Sequence, residues 1–173
     1  MRGDLVRALR QRAAVSAVRD SAVRGRGAVA AVACRFCAAL DLAPFSERRG
    51  GRFLSRLDAS TERLRQALPP GGRSWGAARN VIDMFLREAF YNRYICDQFR
   101  LERAEEWLEL PLDSSLARRL RSAFPECRLP PWRSLTSLTP AVNSNYQGVA
   151  AEIADSRGIA RVHLESFLWP RSS

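Results

Sequence analysis

Apolar positions recur along this chain at three- and four-residue spacings and almost nowhere alternate, which is the signature of helices packed by one face. The strongest run is Val81, Ile82, Phe85, Leu86, Ala89, Phe90 and Tyr94, and it predicts the central core helix. Asp4 to Arg19 carries a narrow stripe of Leu5, Leu9 and Val15. Ala28 to Leu40 is apolar nearly all round and reads as a buried helix. Phe53, Leu54, Leu57, Leu64 and Leu68 suit one helix or two short ones, and a shorter helix is expected from Glu102 to Leu108. Asp113 can cap a helix running to Phe124. Thr139-Pro140 pairs an N-cap with a proline at the first helical position, ahead of the stripe Val142, Tyr146, Val149, Ala150 and Ile153. A last helix is expected over 160–169.

Breaks fall where proline and glycine fall. Gly25 and Gly27, Pro44 with Gly50-Gly51, the run Pro69-Pro70-Gly71-Gly72, and Pro125 with Pro130 and Pro131 separate the helices, and Gly158 stops the penultimate one. Leu110-Pro111-Leu112 reads as extended, because the residue before a proline avoids the helical region. No strand or internal repeat is expected. The fold class is therefore all-α: a basic N-terminal helical arm over 1–26 and a single compact multi-helix domain over 27–173.

Charge changes this picture. The 173 residues contain no lysine, so all 28 basic residues are arginine and the net charge is +10. Residues 1–79 hold 16 arginines against 6 acids, and residues 80–173 hold 12 against 12, so the whole excess lies in the first half. Such asymmetry favours an anionic partner, whether nucleic acid or a membrane surface. The missing lysine excludes the lysine Schiff base, the Walker-A loop and the usual anchor of pyridoxal phosphate. What it leaves is guanidinium, always charged and shaped for phosphate. No run is long enough to cross a membrane. Cys34, Cys37, Cys96 and Cys127 do not form a secreted disulfide pattern, and an intracellular setting is expected.

Two segments carry candidate chemistry. In Gly71-Gly72-Arg73-Ser74-Trp75-Gly76-Ala77-Ala78-Arg79, a turn feeds a helix whose first residues are small. A helix start of this kind is an anion site when its amides are open, and otherwise a tight turn with close packing. In Leu110-Pro111-Leu112-Asp113-Ser114-Ser115-Leu116-Ala117-Arg118-Arg119, a carboxylate follows a proline-stiffened segment. That carboxylate is either an N-cap or a catalytic group.

Taken in order, a glycine turn into Ala78-Arg79-Asn80-Val81-Ile82 and then Pro111-Leu112-Asp113-Ser114 resembles the helix-hairpin-helix DNA glycosylase superfamily, of the endonuclease III and 8-oxoguanine glycosylase types. The resemblance implies that fold, a phosphate-gripping hairpin at Gly72, Arg73, Ser74, Gly76 and Arg79, and Asp113 as the catalytic aspartate. Arg118, Arg119 and Arg121 would add DNA backbone contacts. Trp75, Tyr91, Tyr94 and Trp132 would be candidates for holding an extruded base. With no lysine, strand cleavage through a lysine is excluded, and a monofunctional enzyme using water would remain. The alternative is a non-catalytic nucleic-acid-binding or protein-interaction helical domain.

Other chemistry is thin. Cys34-Arg35-Phe36-Cys37 has CxxC spacing but reads as small apolar residues on a helix. His163, the only histidine, reads as a surface or interface residue, and Glu105, Glu106 and Glu109 as a solvated face. No metal or cofactor is expected. The oligomeric state is left open.

Overall fold

The computed structural model describes residues 2–168. Among them there are eight α-helices, five 3-10 turns and no strand. The helices are α1 (Arg2–Asp20), α2 (Ala28–Ala39), α3 (Gly50–Ala67), α4 (Trp75–Tyr91), α5 (Arg93–Phe99), α6 (Ser114–Ala123), α7 (Pro140–Asp155) and α8 (Leu164–Leu168). No helix of the described chain is long and apolar enough to cross a membrane.

The all-α expectation is met, and α4 is the central element. Every residue from Gly76 to Leu86 is buried, with α1, α2 and α3 packed around it. Ser74 starts α4, its hydroxyl accepting from the Ala77 amide at 3.1 Å. The apolar face read as running to Tyr94 is split, because Asn92 accepts from the Ile95 amide at 3.2 Å and caps a new helix. Two tight approaches fix the start of α4. A Cβ on Gly72 would lie 2.6 Å from a Val29 methyl, and one on Gly76 would lie 2.0 Å from the Leu135 carbonyl oxygen.

Two helices differ from expectation. The N-terminal helix is no arm: Val6, Ala13, Ala14, Ala17 and Val18 are buried in the main core against α4 and α2. Alanine-rich stripes escape notice as apolar faces, yet they allow close helix approach. Conversely, α2 buries only Val29, Ala33 and Cys37, while Ala31, Arg35 and Ala39 face solvent. Its alanines need no cover, since each exposes little apolar area.

The apolar interior has two parts. The larger involves α1 to α5, and the smaller gathers Leu110, Leu112, Leu116, Leu120, Tyr146, Ala150 and Ile153 from the 110–112 segment, α6 and α7. Between them runs a buried polar seam. Arg79 of α4 donates from Nε to Glu109 Oε2 at 3.0 Å, from Nη2 to Glu109 Oε1 at 3.2 Å and from Nη1 to the Thr61 hydroxyl at 2.9 Å. Asn143 of α7 donates to the same Glu109 at 2.9 Å. Gln147 accepts from the Leu110 amide at 2.9 Å and donates to the Leu110 carbonyl at 2.8 Å, as a neighbouring strand would. Glu109, expected on a solvated face, is thus the hub that joins the two cores.

Candidate functional site

Asp113 ends the stiff 110–112 segment, and its Oδ1 accepts from the Leu116 amide at 2.7 Å, capping α6. Its side chain remains exposed, and it borders a cleft of about 710 Å³. The cleft is formed by the turn after α1 (Asp20, Ser21, Ala22, Arg24), one side of α4 (Asn80, Met84, Arg87), the start of α6 (Asp113, Ser114, Ser115, Arg118), the 134–136 loop and Glu165. Its volume falls within the range of about 300–1,000 Å³ common for ligand sites.

The cleft walls are tied by one side chain. Buried Asn80 accepts from the Ala22 amide through Oδ1 at 3.0 Å and donates through Nδ2 to the Leu112 carbonyl at 3.0 Å. It therefore fixes the α1–α2 turn and the residue before Asp113 to the same point of α4. The 134–136 loop is seated on the Gly76 face through the Leu135 carbonyl. Leu135 thus covers Gly76 and also borders the cleft, whereas no residue from Gly71 to Gly76 lines it.

Three arginines and three carboxylates border this space. Arg24 and Arg118 are exposed, and Arg118 Nε donates to the Ser114 carbonyl at 3.0 Å. Arg87 is largely covered and forms an ion pair with Glu165. Asp20 is hydrogen-bonded by its neighbour Arg19 at 3.0 and 3.2 Å, and that bond holds its carboxyl below the ordinary aspartate range.

The residues expected to grip phosphate divide. The turn spends its own amides: Gly72 N–H donates to Pro69 O, Arg73 N–H to Pro70 O and Ser74 N–H to Gly72 O. Gly72 is buried, and Gly76 is covered by Leu135. Arg79 offers nothing to solvent, because its side chain is 4% exposed and is paired with Glu109 and, at 3.0 Å, with Asp58. These positions hold the cleft together and do not face it. Arg73, Arg118 and Arg121 are surface cations, with Arg73 Nε bonded to the Leu68 carbonyl at 2.7 Å. Arg119 is half-buried and donates to the Leu168 carbonyl at 3.2 Å.

None of the four aromatic candidates lines the cleft. Trp75 stacks under the Arg79 guanidinium at 5.0 Å. Trp132 meets Tyr146 edge-on and donates to the Ser114 hydroxyl at 3.0 Å, one residue from Asp113. Tyr94 is exposed on α5. Tyr91 lies against His163, its hydroxyl 2.8 Å from Nδ1, while Nε2 is 2.8 Å from Glu105 Oε1. His163 thus pins the 161–168 segment to α4 and to the 101–107 turn. Cys37 is fully buried, which pushes its thiol pKa up, as expected of an apolar packing residue.

Deeper still, Asp83 is wholly buried beside Arg79, with Oδ1 unpartnered. Burial and the nearby Glu109 push its carboxyl well above the ordinary range, against the pull of Arg79 and Arg161. Burial also lowers Arg161, whose guanidinium donates to the Leu108 and Trp107 carbonyls at 3.0 and 2.9 Å. Sequence reading missed Asn80, Arg24 and Arg87 as cleft residues. Their only signal was position: Asn80 and Arg87 are polar residues inside the predicted core helix, and Arg24 precedes the glycine break after α1.

Comparison with known proteins gives no match: no family model, no curated protein and no solved structure corresponds to this chain.

Proposed function

We propose that this chain is a DNA-binding protein on a scaffold of the glycosylase-like helix-hairpin-helix type, and that it takes the phosphate backbone at the cleft carrying Asp113. The observation that carries the reading is the meeting, in one open cleft, of the exposed Asp113 carboxylate with Arg24, Arg87 and Arg118. The +10 net charge, all of it from the first 79 residues, supports an anionic partner. In this reading Arg24 and Arg118 meet phosphates, and Arg73 and Arg121 add surface charge. Duplex DNA binding measured by fluorescence anisotropy should weaken steeply between low and physiological salt. Flat affinity across that range would remove the reading.

A second reading is favoured by Asp113 alone. Its exposed carboxylate beside the cleft could stabilise a sugar cation as the C1′–N bond of an extruded nucleotide breaks, with the base leaving with the bonding electrons. Water would then add its hydroxyl to C1′ and supply the proton the base takes up. No lysine is present for strand cleavage. Base release from a panel of damaged duplexes, lost in Asp113→Asn, supports this chemistry. DNA binding without release on any substrate leaves the binding role alone.

A further inference from the structure

Among the described residues, Arg87 is the one of the three cleft arginines joined there to a carboxylate, and that carboxylate comes from the far end of the described chain. We infer that Arg87 is a phosphate subsite of the cleft, occupied in the free protein by Glu165 as an intramolecular stand-in for the anion. The inference rests on the DNA-binding reading above for its physiological ligand, but the site itself is a matter of geometry.

Arg87 sits one turn before the end of α4, its side chain only 15% exposed, with Glu165 33% exposed at the cleft edge. The rest of the cleft does not explain this pairing. Asp20, the nearest alternative carboxylate from the α1 side, is already held by Arg19. Nor does the 161–168 segment need the ion pair to stay in place. His163 bonds both Tyr91 and Glu105, Arg161 bonds two backbone carbonyls, and Val162 and Leu164 are buried. Glu165 is therefore an anion delivered to a guanidinium on a segment anchored by other contacts. A phosphate oxygen offers Arg87 the same charge-assisted hydrogen bond. Binding there requires Glu165 to give way, so the carboxylate sets a threshold that a weak or singly placed anion does not pass.

The test is a cycle of Glu165→Gln, Arg87→Gln and the double variant, with Glu152→Gln, on the solvent-facing side of α7 and outside the cleft, as a control for loss of one negative charge. Duplex affinity is measured against salt. Glu165→Gln should bind several-fold tighter than wild type, and its log–log salt slope should steepen by about one, the value for one added phosphate contact. The double variant should return to the wild-type slope, and the control should leave the slope unchanged. A slope in Glu165→Gln no steeper than in the control overturns the subsite. Pyrophosphate provides a readout that needs no DNA: it should raise the thermal midpoint of Glu165→Gln and not of the double variant. If wild type binds no DNA while pyrophosphate separates the two variants, the DNA reading fails and the subsite stands. If DNA binds while neither measurement separates them, the subsite fails and the DNA reading stands. Should Glu165→Gln lose its fold, Glu165→Ser takes its place in the same cycle.

Discussion

Arg79 shows how far a residue's role can sit from its local sequence. In a glycine-rich helix start it reads as a phosphate ligand, yet its guanidinium is committed to Glu109 and Thr61 in the interior and to Asp58 at the surface. A buried ion pair contributes little net stability over apolar packing, but removing one partner strands the other charge. Arg79→Met should therefore cost about 3–5 kcal/mol, read from urea unfolding. A loss below about 1 kcal/mol would mean that water reaches Glu109 freely. Asp83 gives a pH signature at the same scale. In the unfolded chain it ionises near pH 4, while burial keeps it protonated in the fold to much higher pH. Folding takes up that proton. The contribution is complete below the unfolded value and is lost as pH rises toward the raised folded value. Asp83→Asn cannot ionise, so its stability relative to wild type should grow as pH rises above the unfolded value of about 4. A difference that stays constant above that value would place a charged Asp83 in the native state.

At the scale of elements, the starts of helices were the most legible features. Ser74, Asp113 and Thr139 each cap the helix that their local sequence announces, because a cap is made by residues three apart. The same locality makes Asp113 ambiguous, since a cap and a catalytic carboxylate look alike in sequence. Two substitutions separate the roles. Asp113→Ala should cost about 1 kcal/mol by uncapping α6, whereas Asp113→Asn keeps a cap of equal quality and should unfold like wild type. Thermal melts of the two variants check this, and they make Asp113→Asn a clean probe of chemistry. Helix roles were less legible than helix starts. α1 looked like an arm because its buried face is mostly alanine, and α2 looked buried because small residues raise its apolar count.

For the whole molecule, the excess of arginine over acid before residue 80 was plain from the chain, but its consequences depend on which arginines face solvent. Arg79 is consumed by the interior, and Arg10 is half-buried, its guanidinium bonding the Leu40 carbonyl and lying 5.3 Å from the Phe99 ring centre. Arg24 and Arg118 remain exposed at the cleft. Replacing both by glutamine should lower the salt slope of DNA binding by about two. The same change at Arg35 and Arg63, which are exposed but outside the cleft, should alter the slope by less. Equal effects from both pairs would mean binding by diffuse charge and not at the cleft.

Sequence by itself determined the class of structure, the helix starts and breaks, the sign of the charge and the absence of lysine chemistry, because each is set by neighbours within a turn or by composition. Tertiary structure decided which candidates share a site. Asn80 joins Ala22 to Leu112, Leu135 covers Gly76, and Glu165 reaches Arg87 across 78 positions. None of these contacts leaves a local pattern. Each depends on how α1, α4 and the later segments pack, and burial, not residue type, then determines whether an arginine holds the fold together or remains open to an anion.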